Sequence, residues 1–357
     1  MIKYIGSKRV LVPRIVAAVD ALPDVRSCLD LFSGTSRVGH GLKGRGYRVH
    51  ANDHLTFAYT LARCYVEADR RRWLGPAERL LRELSRAGPI DGYVTDVFCR
   101  QARYFHPRNG RRIDGIRDEI ERLDVEPPLK AIALTALMEA ADRVDSTTGL
   151  QMAYLKQWAP RAHNDLELRM PEILAGSASA SQMEAREAAG RFRADVAYLD
   201  PPYNQHSYMG NYHVWETLVR WDAPAHYGIA CKRVDCREYR SPFNRKREAK
   251  EAMRSVLEPL GVRFVIVSFN NEGYLDRADL ESMLQARGWY VRCAPVDHKR
   301  YVGAQIGIHD LKGRKVGRVS HLRNKELLFI AGEDAEAIDA AYDAVLAPDR
   351  QKQLALV

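Results

Sequence analysis

Ser27-Cys28-Leu29-Asp30-Leu31-Phe32-Ser33-Gly34-Thr35 is the stretch from which the fold can be read. A short apolar run ends in Ser-Gly-Thr, the pattern of a buried strand entering a glycine turn. Val38 to Lys43 suits a helix, with Gly44 and Gly46 to end it. Residues 47–51 read as a second strand, followed by Asn52-Asp53-His54, and 55–68 carries a long helical pattern. Strand, glycine turn, helix, strand, acid is the opening of a doubly wound α/β sheet.

Towards the N-terminus, 10–19 reads as a helix with Pro13 in its first turn. The matching second half of the sheet comes late. Val196-Ala197-Tyr198-Leu199 leads as a strand into Asp200-Pro201-Pro202-Tyr203, and 264–269, 290–294 and 327–330 supply further strands. Between Asp53 and Asp200 lie 146 residues, whereas a compact βαβ crossover takes only about 30. The surplus has helical spacing at 76–85, 112–123 and 129–144. The expected organisation is therefore nested. One discontinuous α/β domain comprises 1–69 and 171–335, a mainly helical unit, 70–170, is inserted in it, and 336–357 form a terminal helix or tail. Within the insert, 103–112 reads as a turn-forming loop with interleaved aromatics, and 175–180, small and polar, as a strand-to-loop edge.

The 357 residues are 46% hydrophobic and 28% charged, a mix that excludes a mostly disordered chain. With no apolar run of about 18 residues, no transmembrane helix is expected. The polar, basic first residues do not read as a secretory signal. Six scattered cysteines fit neither a CxxC pair nor a zinc ribbon, so no metal site is expected and the thiols read as buried in a reducing cytoplasm. Lys and Arg total 55 against 46 acidic residues, a net +9 that points to an anionic partner. The excess is local. Segment 70–123 holds 13 Arg against 8 acids, 232–254 holds 9 basic against 4 acidic residues, and 297–325 holds 8 against 2.

Asp200-Pro201-Pro202-Tyr203 is the most specific motif. Strand C-termini are where α/β sheets bind ligands. Two prolines stiffen the turn and remove backbone donors. A carboxylate and an outward carbonyl can then each accept from one amino group, and Tyr203 can stack on a planar base. The plainer alternative is a strand-ending Asp-Pro turn with a packed Tyr. Asp53 likewise has two readings: a ribose-binding acid or a helix cap.

Lys3-Tyr4-Ile5-Gly6-Ser7-Lys8, then Phe32-Ser33-Gly34-Thr35, then Asp200-Pro201-Pro202-Tyr203, in that order, resembles the alpha-group, Dam-like DNA adenine-N6 methyltransferases. The resemblance spans residues 1–330 and implies a Rossmann-like, class I S-adenosylmethionine-dependent methyltransferase sheet with an inserted target-recognition domain. It implies that Tyr4, Ile5, Gly6 and Lys8 close the S-adenosylmethionine pocket. Phe32, Ser33, Gly34, Thr35, Asp53 and Asp200 would line it, with Asp53 on the ribose, while Asp200, Pro201, Pro202 and Tyr203 hold the flipped adenine. Two positions depart from the family's pattern. Ser36 stands where a second glycine is usual, and Gly176-Ser177 where Gly-Asp is common, which makes Ser177 the candidate for the cofactor's adenine.

The implied partner is double-stranded DNA, without membrane or metal and with homodimerisation left open. The implied location is the cytoplasm, at the nucleoid. Phosphate and base contacts are expected from Arg103, Arg108, Asn109, Arg111 and Arg112 in the insert. Tyr208, Lys232 and Arg233 follow the catalytic turn, and Lys299, Arg300 and Arg323 lie in the basic segment between the last two strands. Two competing readings are an RNA base methyltransferase and a non-catalytic DNA-binding regulator on the same fold.

Overall fold

The structure, a computed structural model, describes residues 1–299 and 323–354. Its strands are β1 Ser27–Asp30, β2 Arg48–Asn52, β3 Ala178–Ser181, β4 Val196–Leu199, β5 His226–Tyr227, β6 Lys232–Arg233, β7 Phe264–Asn270, β8 Tyr290–Lys299 and β9 Arg323–Gly332. Among the described residues seven of these form one sheet in the order β3-β2-β1-β4-β7-β9-β8, and β5 and β6 make a separate two-stranded ribbon. Pairing is parallel from β3 to β7. Only β9 runs against its neighbours β7 and β8.

The helices are α1 Val12–Ala21, α2 Arg37–Gly44, α3 Thr56–Ala62, α4 Arg70–Leu84, α5 Pro107–Arg122, α6 Pro127–Arg143, α7 Ala185–Arg191, α8 Tyr208–Asn211, α9 His213–Arg220, α10 Ala249–Leu257, α11 Arg277–Gln285 and α12 Ala335–Leu354. Strand alternation sends successive side chains to opposite faces. Val196 and Tyr198 of β4 join a core with α1, α2 and α12. Ala197 and Leu199 join a second core with α7, α10 and α11. Covered on both faces, β1, β4 and β7 are buried at every residue and lack the apolar–polar alternation of a half-exposed strand. The α/β expectation is met. β3 is the exposed edge, so its Ala-Ser repeat shows little apolar pattern.

A third core is helical. Trp73 of α4, Ile113 of α5 and Leu137 of α6 pack with Phe57 of α3 and Trp215 of α9. The stretch 103–112 corrects the sequence expectation of a loop: α5 begins at Pro107. Proline suits the first helical position, and the His106 ring accepts from the Arg108 N–H. Among the described residues no helix is long and apolar enough to cross a membrane.

The sheet order reverses direction between β1 and β4. In an open α/β sheet the crevice at that switch point, beyond the strand C-termini, receives the ligand. The connections leaving β1, β2, β3 and β4 all converge there.

Candidate active site

The turn after β1 is built by hydrogen bonds from the next strand. Ser33 N–H donates to Asn52 O (2.9 Å) and Gly34 N–H to Asp53 Oδ2 (2.8 Å). The second Asp53 oxygen accepts from Leu55 N–H at 3.0 Å. Asp53 thus braces the glycine turn, caps the following backbone and lines the pocket at once. Burial raises its carboxyl above the usual range, against the pull of the Leu55 and Gly34 N–H groups. Gly34 takes φ +51° with the Tyr4 ring directly over its Cα face. Ser36 also lies in the left-handed region, at φ +59°. That conformation favours glycine, so the serine is strained where the related pattern has Gly, and its buried hydroxyl has no partner among the described residues.

Asp30, the last residue of β1, holds the Gly39 N–H of α2 through Oδ2 (2.9 Å), while its buried Oδ1 has no partner among the described residues. Burial pushes this carboxyl up to about 7, with the Gly39 N–H pulling the other way and Asp200 adding to the rise.

The N-terminal box closes one side. Tyr4 lies near-parallel to both Tyr208 and Tyr212, with centroids 5.2 and 4.6 Å away, and those two rings are 6.5 Å from each other, so the three form one cluster. Ile5 N–H donates to the Tyr212 hydroxyl at 2.6 Å. Tyr4, Gly6 and Lys8 line the pocket, whereas Ile5 serves through this backbone contact. Tyr208, expected on DNA, lines the pocket against Tyr4 instead.

Lys8 is buried between two carboxylates, its Nζ 2.9 Å from Asp200 Oδ1 and 2.8 Å from Glu326 Oε1. Ser268 of β7 donates to the same Glu326 oxygen at 2.6 Å. Burial lowers the Lys8 pKa, but Asp200 and then Glu326 outweigh it and hold the ammonium well above its ordinary range. The Asp200 carboxyl is raised by burial, with Lys8 opposing and Glu326 reinforcing that rise.

Within the motif, Asp200 and Pro202 line the cavity and Pro201 is buried. The Tyr203 ring packs edge-on against Phe269, 6.0 Å between centroids. Its carbonyl accepts from Tyr274 N–H at 2.8 Å. The opposite wall includes Tyr239, Ser241, Pro242, Phe243 and Asn244, which sequence reasoning missed. Phe243 meets Phe32 edge-on at 5.4 Å. Asn244 donates to the carbonyls of Asn204 (2.6 Å) and His206 (3.2 Å), tying down the loop after the motif.

Ser177 is corrected. It precedes β3, on the far rim of the sheet, whereas ligands gather at strand C-termini. Met183 and Glu184, after β3, line the pocket in its stead. Met183 O is fixed by the Asn52 amide at 3.1 Å.

The DNA candidates divide. Asn109 is buried and donates to the carbonyls of Ala162 (3.0 Å) and Asn164 (2.9 Å), so it does not reach a base in this conformation. Arg233 is buried in a fork–fork pair with Asp222 (2.6 and 2.7 Å) and also bonds Asp235, so its charge is spent internally. Arg112 caps α4 through the Ser85 and Ala87 carbonyls. Arg103 lies over the Trp158 ring and donates to Lys156 O. Arg108 and Arg111 are exposed on α5, beside Asp165 and Asp91 respectively. Lys232 is half-buried in the β5–β6 ribbon. Lys299 and Arg323 face each other in the β8–β9 register. Arg300 and the basic segment 301–322 lie outside the described residues.

Compared with known proteins, residues 4–267 match the D12 class N6 adenine-specific DNA methyltransferase family. The chain is 32% identical over 301 residues to the modification methylase StsI of Streptococcus sanguinis, an overlap of 79% of this chain and 46% of that protein. It is 30% identical over 308 residues to the type II methyltransferase M.FokI of Planomicrobium okeanokoites, covering 80% and 47%. With M.NlaIII of Neisseria lactamica the identity is 28% over 303 residues, covering 80% and 89%. The chain thus spans about half the length of the first two. A family match over residues 4–267, most of its length, makes this chain a member of the D12 class N6 adenine-specific DNA methyltransferases.

Proposed function

We propose that this protein transfers a methyl group from S-adenosylmethionine to N6 of an adenine flipped out of double-stranded DNA, at a specific site. The observation that carries the reading is that Asp200 lines the same cavity as the Gly34 turn and Asp53. Donor and acceptor would therefore share one pocket.

The residues present fit S-adenosylmethionine. Asp30 Oδ1 and the Ser33 hydroxyl, on residues that line this pocket, are buried polar atoms without partners among the described residues. They suit the amino-acid end of the cofactor, and Asp53 suits its ribose hydroxyls. When bound, the cofactor supplies an electrophilic methyl group on a sulfonium.

The protein's own task is positioning and charge stabilisation. The Asp200 carboxylate accepts a hydrogen bond from the adenine amine, and a carbonyl of the rigid Pro-Pro turn accepts a second. These bonds hold the N6 lone pair on one line of approach and stabilise the positive charge that grows on nitrogen. The extra proton leaves N6 after transfer, with Asp200 its nearest acceptor. Extracting the base from the stack costs a few kcal/mol, which DNA contacts elsewhere must offset.

In this reading 70–170 is the target-recognition unit, and Arg108 and Arg111 are two of its exposed basic side chains on α5. A DNA substrate places the enzyme's work at the nucleoid. The test is incubation with methyl-labelled S-adenosylmethionine and separate duplex DNA and RNA pools, then digestion to nucleosides. Label in N6-methyl-2′-deoxyadenosine from the DNA pool is expected; label on cytosine, on guanine or in RNA alone contradicts the reading.

A further inference from the structure

We propose that Glu326 is a positioning residue for this reaction: by sharing Lys8 with Asp200, it leaves Asp200 free to act as a strong acceptor towards the substrate amine. The inference rests on the assignment of Asp200 given above and extends it to a residue no sequence motif marks.

The geometry is that of a relay seen end-on. Asp200 is the outermost of the three, its side chain 20% exposed towards the pocket, whereas the Lys8 and Glu326 side chains are each 6% exposed. An ammonium has three donors and no acceptor. One Lys8 donor goes to Asp200 and another to Glu326, at 2.9 and 2.8 Å. Glu326 is itself fixed, because Ser268 donates to the same oxygen from the neighbouring strand. The β7–β9 register creates this meeting by setting Glu326 opposite Asn270, two residues from Ser268.

The cluster holds two carboxylates and one ammonium. A buried carboxylate with a cation to itself is a poor acceptor for a further donor, since its charge is already compensated. A second carboxylate on the far side of Lys8 divides that compensation. Other groups facing Asp200 are Tyr4 from the N-terminal box, Tyr198 from β4, Tyr203 after it, Tyr208 from α8 and Asp30 from β1. Among the described residues facing it, Lys8 is the cation whose pull Glu326 can share.

The test compares Glu326→Gln with Ser268→Ala in single-turnover methylation from pH 5 to 9, at saturating S-adenosylmethionine and duplex DNA. Under those conditions the acid limb reports the bound complex. Gln keeps both hydrogen bonds but removes the charge. The transfer rate on the plateau should fall about tenfold, and the acid limb should move to lower pH by about one unit, because Asp200 becomes more acidic once Lys8 is left to it. Affinity for S-adenosylmethionine, read by calorimetry, should stay within about threefold of the parent. Ser268→Ala loses a hydrogen bond without changing charge and should leave the limb in place. A Glu326→Gln limb unmoved from the parent, whatever the plateau rate, overturns the proposal. Parental activity in Asp200→Asn would instead overturn the reading of Asp200 on which it stands.

Discussion

Asp53 Oδ2 accepts the Gly34 N–H at 2.8 Å, so the acid after the second strand fixes the turn after the first. Of the two readings of Asp53 open in the sequence, the helix cap is not met, since Leu55 stands at the N-cap of α3 without a side-chain bond, and the ribose-binding acid is the reading proposed above. Asp53→Ala should therefore cost in two ways. Loss of bonds to Gly34 and Leu55 should lower stability by about 1–3 kcal/mol in urea unfolding. Calorimetric affinity for S-adenosylmethionine should fall by at least about tenfold. Weakened affinity with unchanged stability would mean that the brace contributes nothing.

Asp30 gives a pH signature. Burial lifts its folded carboxyl to about 7, against about 3.9 in an unfolded chain. A raised folded pKa means that the unfolded state loses its proton first. The contribution is fully present below about pH 4 and is lost as pH rises to about 7. Asp30→Asn keeps an acceptor for Gly39 without the buried charge. Relative to the parent it should gain stability progressively over that window, by roughly a few kcal/mol at pH 8. A parent–variant difference that stays constant with pH would contradict the burial argument.

Arg233 and Arg111 look alike in the sequence and should behave oppositely. Arg233→Ala removes a buried side chain and its bonds to Asp222 and Asp235, which keep Arg220 as a partner, and should destabilise the fold by about 2–4 kcal/mol. Arg111→Ala should leave thermal stability nearly unchanged. It should weaken DNA binding and reduce the slope of log affinity against log salt by about 1. Equal melting temperatures for the two variants would reverse the assignment made from burial.

What the sequence made legible was chain-local. Residues 27–35, Asp53 and 200–203 each carry their meaning in a few neighbours, and the doubly wound sheet follows from them. Glu326 carries none, because its role arises only when β9 pairs with β7 and brings it beside Ser268 and Lys8. The wall at 239–244 was hidden for the same reason. Ser177 is suggested by the position of Gly176-Ser177 relative to the related Gly-Asp pattern alone, and an exposed edge strand of Ala and Ser gives no apolar alternation that would set the limits of β3 and show Ser177 at its N-terminal end. Arg233 and Asn109 were read as surface groups because the partners that absorb them, Asp222, Asp235 and the carbonyls of 162 and 164, are gathered only by tertiary structure. Ser36 shows a subtler limit, in that its residue type alone hides a left-handed backbone.

The most direct measurement is single-turnover methyl transfer to duplex DNA by Asp200→Asn, with S-adenosylmethionine and DNA affinities determined on the same protein. Asn keeps the shape of the turn but cannot offer a carboxylate to the amine. The rate should fall by at least about a hundredfold, while both affinities stay within about threefold of the parent. Transfer at the parental rate, with N6-methyladenine still the product, would contradict the assignment of Asp200 as the acceptor that holds the reacting amine.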